Sequence, residues 1–144
     1  MIYTSYFAKL RNITDNYIPI SICGKAPDWY KGLQYKKLAP KYDFFIQWKK
    51  THDNDYFTKC FKNQVLEPLN PYDIIDELVE MLDDNSKALI KMTNCPVWSN
   101  PDIHIVLICY EKSTDFCHRH LVADWFNKYG IICSELRFVD ELGK

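Results

Sequence analysis

Ile103-His104-Ile105-Val106-Leu107-Ile108-Cys109-Tyr110-Glu111 runs on through Lys112-Ser113-Thr114-Asp115-Phe116 into Cys117-His118-Arg119-His120, and the reading of this stretch decides the fold. Its first half is an almost unbroken apolar run, the pattern of a strand buried on both faces of a parallel sheet. It turns polar within two residues of Cys109. A short loop follows, then an amphipathic helix with Cys117, His118 and Arg119 at or near its first turn. A buried strand, a polar loop and a helix N-terminus form the unit at which α/β proteins commonly place chemistry.

Downstream, Leu121, Val122, Trp125, Phe126 and Tyr129 make the apolar face of that helix, Gly130 is a C′ residue, and residues 131–135 read as a final strand. Upstream, residues 1–7 and 17–23 are rich in aromatic and β-branched side chains and read as two strands, with a loop or short helix over 8–16. Residues 28–40 read as loop. Helical periods follow over 42–50 and 53–66, the second capped by Asp53 or Asn54 and ended by Pro68. Asn70-Pro71 pairs an N-cap with a proline at the first helical position, ahead of a stripe of Ile74, Ile75, Leu78, Met81 and Leu82. A further short helix is expected over 86–92. The order predicts a small Rossmann-like three-layer α/β domain with a mostly parallel sheet, one domain over 1–144. Such a topology turns the strand ends at Ser5, Tyr6 and Ser21 toward the same edge as Tyr110 and Glu111.

A chain of 144 residues suffices for one hydrophobic core, and 47% apolar content without a long uncharged run excludes a membrane span. The N-terminus shows no secretory leader, so a cytoplasmic location is expected. The formal net charge of −1 provides no general attraction to nucleic acid or lipid. One local patch does mix charge and rings: Lys25, Lys31, Lys36, Lys37 and Lys41 alternate with Trp29, Tyr30, Tyr35 and Tyr42, a composition suited to stacking bases and meeting phosphates, though without a coherent motif a solvated loop with aromatics tucked beneath it is the reading favoured. The six cysteines sit in strand-like or helical patterns without a Cys-x-x-Cys, so reduced thiols are expected rather than a disulfide framework.

At a helix N-terminus beside His118 and Arg119, the thiol of Cys117 is expected to favour thiolate. Thr114 or Asp115 is placed to cap the helix. Arg119 has bidentate capacity for phosphate or carboxylate, and His118 or His120 suits proton transfer. Glu111, at the end of a buried strand, is hard to explain by packing. Each residue also has a bland reading, Arg119 as a local bridge to Glu111 or Asp115 and Cys117 as a packed first-turn residue. Cys109, Cys117, His118 and His120 are ligand types for zinc. Adjacent Cys117 and His118 diverge on a helix, however, and the spacing matches no standard structural site, so no metal is expected. Neither a Gly-x-Ser-x-Gly elbow nor a Gly-rich phosphate loop occurs.

Leu107 to Lys112 together with Phe116 to Trp125 resembles the signature of the DUF488 family. Tyr3 to Ala8, Pro19 to Ile22 and Leu38 to Pro40 resemble its N3 subclade. Where the broader family carries an Asp-Val-Arg element, this chain reads Ile20-Ser21-Ile22-Cys23. The resemblance implies a compact α/β domain with its site at Glu111, Cys117, His118 and Arg119, without implying a reaction or a cofactor. The expected function is an enzyme-like domain binding a phosphate-bearing or otherwise anionic ligand, such as a nucleotide or nucleic-acid component. In it Cys117, Glu111 and His118 act on the ligand, and Arg119, Ser5, Tyr6, Ser21 and Tyr110 hold it. The alternative is a non-catalytic module binding nucleic acid or protein through Lys25 to Tyr42.

Overall fold

The computed structural model describes residues 1–112 and 114–137. Its centre is β4 (His104–Cys109), whose six residues are all buried, as the apolar run requires. β1 (Ile2–Tyr6) and β2 (Tyr17–Ser21) lie on either side of it. β5 (Cys133–Glu135) pairs beyond β1, and β3 (Leu33–Gln34) beyond β2. Among the described residues the five strands are all parallel, in the order β3-β2-β4-β1-β5. Ser5 and Ser21 both stand level with Ile108, and Tyr6 with Cys109, so the expected convergence of strand ends on one edge holds.

Alternate residues of β4 enter different cores, as a period of two demands. Ile105 and Leu107 pack with Ile2 and Ile20 against every long helix. These are α1 (Tyr42–Thr51), α2 (Asn54–Phe61), α3 (Pro71–Glu80), α4 (Asp84–Lys91) and α5 (His118–Lys128). Val106 and Ile108 face a thinner layer, made by a 3-10 turn over Phe7–Asn12 and the segment from Cys23 to Tyr30. The two outer layers are thus unequal in depth.

The helix starts at Asp53 and Asn70 carry the expected caps, and Asp83 caps α4 in addition. Asp53 accepts from the Tyr56 amide, Asn70 from those of Tyr72 and Asp73, and Asp83 from that of Ser86. Gly130 closes α5 at φ +80°, the left-handed conformation that favours glycine. Two elements differ from expectation. β3 occupies two residues of the stretch read as loop, since so short an edge strand carries no periodicity. The helix expected over 53–66 stops being α at Phe61 and continues as a π-helical turn over Lys62–Leu66, which keeps Val65 and Leu66 in the core.

β1 leads to β2 on one side of β4, whereas β4 leads through α5 to β5 on the far side of β1. Adjacent strands whose connections depart in opposite directions leave a crevice at their carboxyl ends, where open α/β sheets bind ligands.

Candidate functional site

The turn from β4 to α5 sets the site. β4 ends at Cys109, Tyr110 and Glu111 come next, and the Asp115 amide folds back on the Lys112 carbonyl at 3.0 Å. Cys117 is then the N-cap of α5, with φ −155° and ψ 142°, and among the described residues no side chain caps the helix. This corrects the assignment of Thr114 or Asp115 as the cap. It also removes the geometric objection to a shared Cys117–His118 site: Cys117 is extended, so its side chain and that of His118 do not diverge as helical neighbours would.

The two side chains converge with Cys109 instead. His118 Nδ1 lies 3.4 Å from Cys109 Sγ and 4.0 Å from Cys117 Sγ, and all three residues are buried. His118 Nε2 lies 2.8 Å from the Ile22 carbonyl, an acceptor only, so Nε2 carries the proton and Nδ1 is the atom turned to the sulfurs. The Phe61 ring lies edge-on to the imidazole at 5.4 Å and fills the space beside it.

The two thiols share a proton unequally. A hydrogen bond from Cys109 holds the Cys117 thiol well below the ordinary range against the opposing effect of burial, with further help from His118 and Arg119. Cys109 is pushed up in turn, by that same hydrogen bond and by burial. Cys117 is the thiolate of the pair. Burial also raises the Glu111 carboxyl, whose Oε2 lies 3.9 Å from Cys109 Sγ.

Arg119 is held by partners within the protein. It is wholly buried, with Nε and Nη2 on the two carboxylate oxygens of Glu135 at 3.1 and 2.9 Å. Its Nη1 donates to the Glu111 carbonyl at 2.6 Å, and the Tyr6 ring lies 5.6 Å from the guanidinium carbon. Thr4 Oγ1 also donates to Glu135, at 2.6 Å. The local bridge exists, but to an acid on β5 instead of Glu111 or Asp115.

The sulfur cluster lies at one side of a cavity of about 750 Å³. Tyr110, Glu111, Phe116, Cys117 and His118 line it, together with Tyr42, Phe45 and Trp48 of α1, Lys25 and Lys49. Of the residues expected to touch ligand, Glu111, Cys117, His118 and Tyr110 reach the cavity, while Arg119, Ser5, Tyr6 and Ser21 do not line it. Ser5 and Ser21 are buried beneath the strand ends, and Ser21 Oγ lies 3.1 Å from Cys23 Sγ. Cys23, Phe45 and Trp48 enter the site without a motif to announce them. Of the four residues weighed as zinc ligands, Cys109, Cys117 and His118 come together.

The basic and aromatic loop divides. Tyr30 and Tyr35 are buried and donate to the Leu33 carbonyl and to Glu77, and Lys37 pairs with Glu77 at 2.8 Å. Lys25 and Tyr42 instead line the cavity, where Tyr42 is 78% exposed. The chain was compared with protein-family models, curated proteins and solved structures, and none of them matches it.

Proposed function

We propose that this chain is an enzyme-like α/β domain of the DUF488 kind, binding an anionic, ring-bearing ligand of the nucleotide class and presenting it to Cys117. The observation that carries this reading is the convergence, at the topological switch point, of the Cys117–His118 pair with a cavity walled by aromatic rings and two lysines. A cavity of about 750 Å³ lies within the range that encloses a small organic ligand.

Each residue then has a role set by its position. Cys117 Sγ, at the N-terminus of an eleven-residue helix, is the nucleophile. His118, fixed by the Ile22 carbonyl, aims Nδ1 at the sulfur and holds or returns its proton. Glu111, whose carboxyl burial raises above the ordinary carboxylate range, is the second proton carrier. Lys25, Lys49 and the uncapped first-turn amides of α5 attract the anionic group, the part earlier expected of Arg119. Tyr42, Phe45 and Trp48 receive the ring. Arg119 is a positioning residue: it fixes the Glu111 backbone and ties α5 to β5.

The test is alkylation of Cys117 by iodoacetamide, followed by mass spectrometry with and without mononucleotides. Faster labelling than at Cys60, slowed by a mononucleotide in proportion to its occupancy, is the expected result. A Cys117 that labels only as an ordinary thiol does overturns the nucleophile role. Protection by long single strands alone favours the binding module over the enzyme.

A further inference from the structure

We infer that Cys109, Cys117 and His118 form a binding site for a thiophilic divalent cation of the zinc type. The donor atoms come from the last residue of β4, the N-cap of α5 and its first helical residue, and all lie within 4.8 Å of one another. With zinc–sulfur bonds near 2.3 Å and zinc–nitrogen bonds near 2.0 Å, the S···N edge of a tetrahedron is about 3.6 Å. The two observed S···N separations, 3.4 and 4.0 Å, bracket that edge. Both S···N separations thus lie within a few tenths of an ångström of the edge that a shared cation requires.

The surroundings have the form that a metal site needs. A histidine ligand ordinarily donates its other ring N–H to a carbonyl or carboxylate, and His118 does so to Ile22 at 2.8 Å, leaving the Nδ1 lone pair for the cation. Two sulfurs and an imidazole select a soft or borderline cation over magnesium or calcium, which take oxygen ligands. All three ligands are buried, while the cavity beside them leaves a fourth position open to small molecules. Glu111 Oε2, 3.9 Å from Cys109 Sγ, is within reach of that position. Three protein ligands with an open fourth place distinguish a reactive site from a closed structural one.

This site does not rest on the nucleophile role, although it shares Cys117 and His118 with it. In the metal-free protein Cys117 is available to attack, whereas in the loaded protein coordination to the cation lowers its nucleophilicity, so occupancy slows the thiol.

Titration of the reduced, metal-free full chain with Co²⁺, followed in the near ultraviolet and visible, tests the site. A thiolate-to-cobalt charge-transfer band that saturates near one equivalent and is displaced by Zn²⁺ is expected. Cys60→Ser should keep the band, and Cys109→Ser should weaken Co²⁺ binding more than about tenfold. X-ray absorption of the zinc-loaded wild type covers the case in which that variant misfolds, with two sulfurs and at least one nitrogen expected around zinc. No charge-transfer band, a band unaffected in Cys109→Ser, or a shell without sulfur overturns the site. Alkylation of Cys117 separates the two readings: rapid labelling that Zn²⁺ fails to slow sinks the metal site and leaves the nucleophile standing.

Discussion

The guanidinium of Arg119 meets both carboxylate oxygens of Glu135, at 3.1 and 2.9 Å, and its remaining nitrogen meets the Glu111 carbonyl at 2.6 Å. One wholly buried side chain thereby joins the first turn of α5, the last strand and the loop that carries Glu111. Its partner's side chain keeps 17% of its surface exposed, so the pair is only partly desolvated. Removing one member of such a pair leaves the other unmatched. Arg119→Met is expected to lower unfolding stability by about 3 kcal/mol. Urea denaturation should show the midpoint falling with an unchanged slope; a midpoint equal to wild type contradicts the clasp. Glu135→Gln, which keeps an acceptor for Arg119 and Thr4, should cost less.

The pH dependence follows from the inequality of the two sulfurs. A Cys117 thiol held well below the ordinary range gives an alkylation rate that stays level from about pH 8 to about pH 5, where an ordinary thiol slows about tenfold per unit. Linkage fixes the sign for stability as well. Over that window the unfolded chain binds a proton at Cys117 that the folded chain does not, so stability rises with pH and is lost as pH falls toward the folded value. Glu111 acts oppositely in the window just above the ordinary carboxylate value, because its folded form keeps a proton the unfolded chain has released. Cys117→Ser should therefore flatten the slope of urea midpoint against pH between 6 and 8. An unchanged slope would place the thiolate elsewhere.

Ligand binding should depend on the cavity wall. Tyr42 is mostly exposed and lines the cavity, so its removal perturbs the fold little. Tyr42→Ala is expected to weaken mononucleotide binding by about 1 kcal/mol, the lower end of a lost base stack. Lys25→Ala should reduce the salt dependence of the same binding, measured by calorimetry at two ionic strengths. Equal affinities in wild type and both variants would remove the ligand from this cavity.

Two backbone positions give controls remote from the site. Nothing lies within 4 Å of a Cβ built on Gly130, so Gly130→Ala meets only the penalty of φ +80°. About 1 kcal/mol of lost stability is expected there. Asn70→Ala removes the acceptor for the Tyr72 and Asp73 amides and should cost about as much. Thermal unfolding of each variant, with Cys117 labelling unchanged in the native protein, checks both.

The β4–α5 unit was legible because its apolar run has no soluble alternative to a strand buried on both faces, and because Gly130 closes the helix where periodicity ends. The caps at Asp53 and Asn70 were legible from local side-chain chemistry. What escaped is what sequence distance conceals. Glu135 lies sixteen residues beyond Arg119, and no periodicity joins an acid on a short strand to a guanidinium on a helix. Cys109 is a ligand type for zinc by its chemistry, but its spacing from Cys117 matches no standard site until the sheet places it at the strand's open end. Cys117 and His118 diverge if both are helical; only the extended backbone of the N-cap turns them to a common centre. Trp48 and Phe45 reach the cavity from α1, an element whose place relative to β4 follows from tertiary packing alone.

The unequal outer layers have a kinetic consequence. Cys117 and Cys109 face the α1 side across the cavity, and on their other side they share a cluster with Cys23, Ala26 and Tyr30 of the thin layer. Segments held by few elements open locally at far lower free energy than the whole domain unfolds. A reagent too large to enter the cavity therefore meets the sulfurs at a rate equal to the intrinsic reaction multiplied by the fraction of time the segment from Gly24 to Tyr30 stands open. That fraction scales the absolute rate and leaves its pH profile unchanged. Urea well below the unfolding transition should speed labelling of Cys117 while Cys133, beneath α5, stays silent. The sheet's weaker cover thus acts as a clock on the site, ticking independently of the chemistry beneath it.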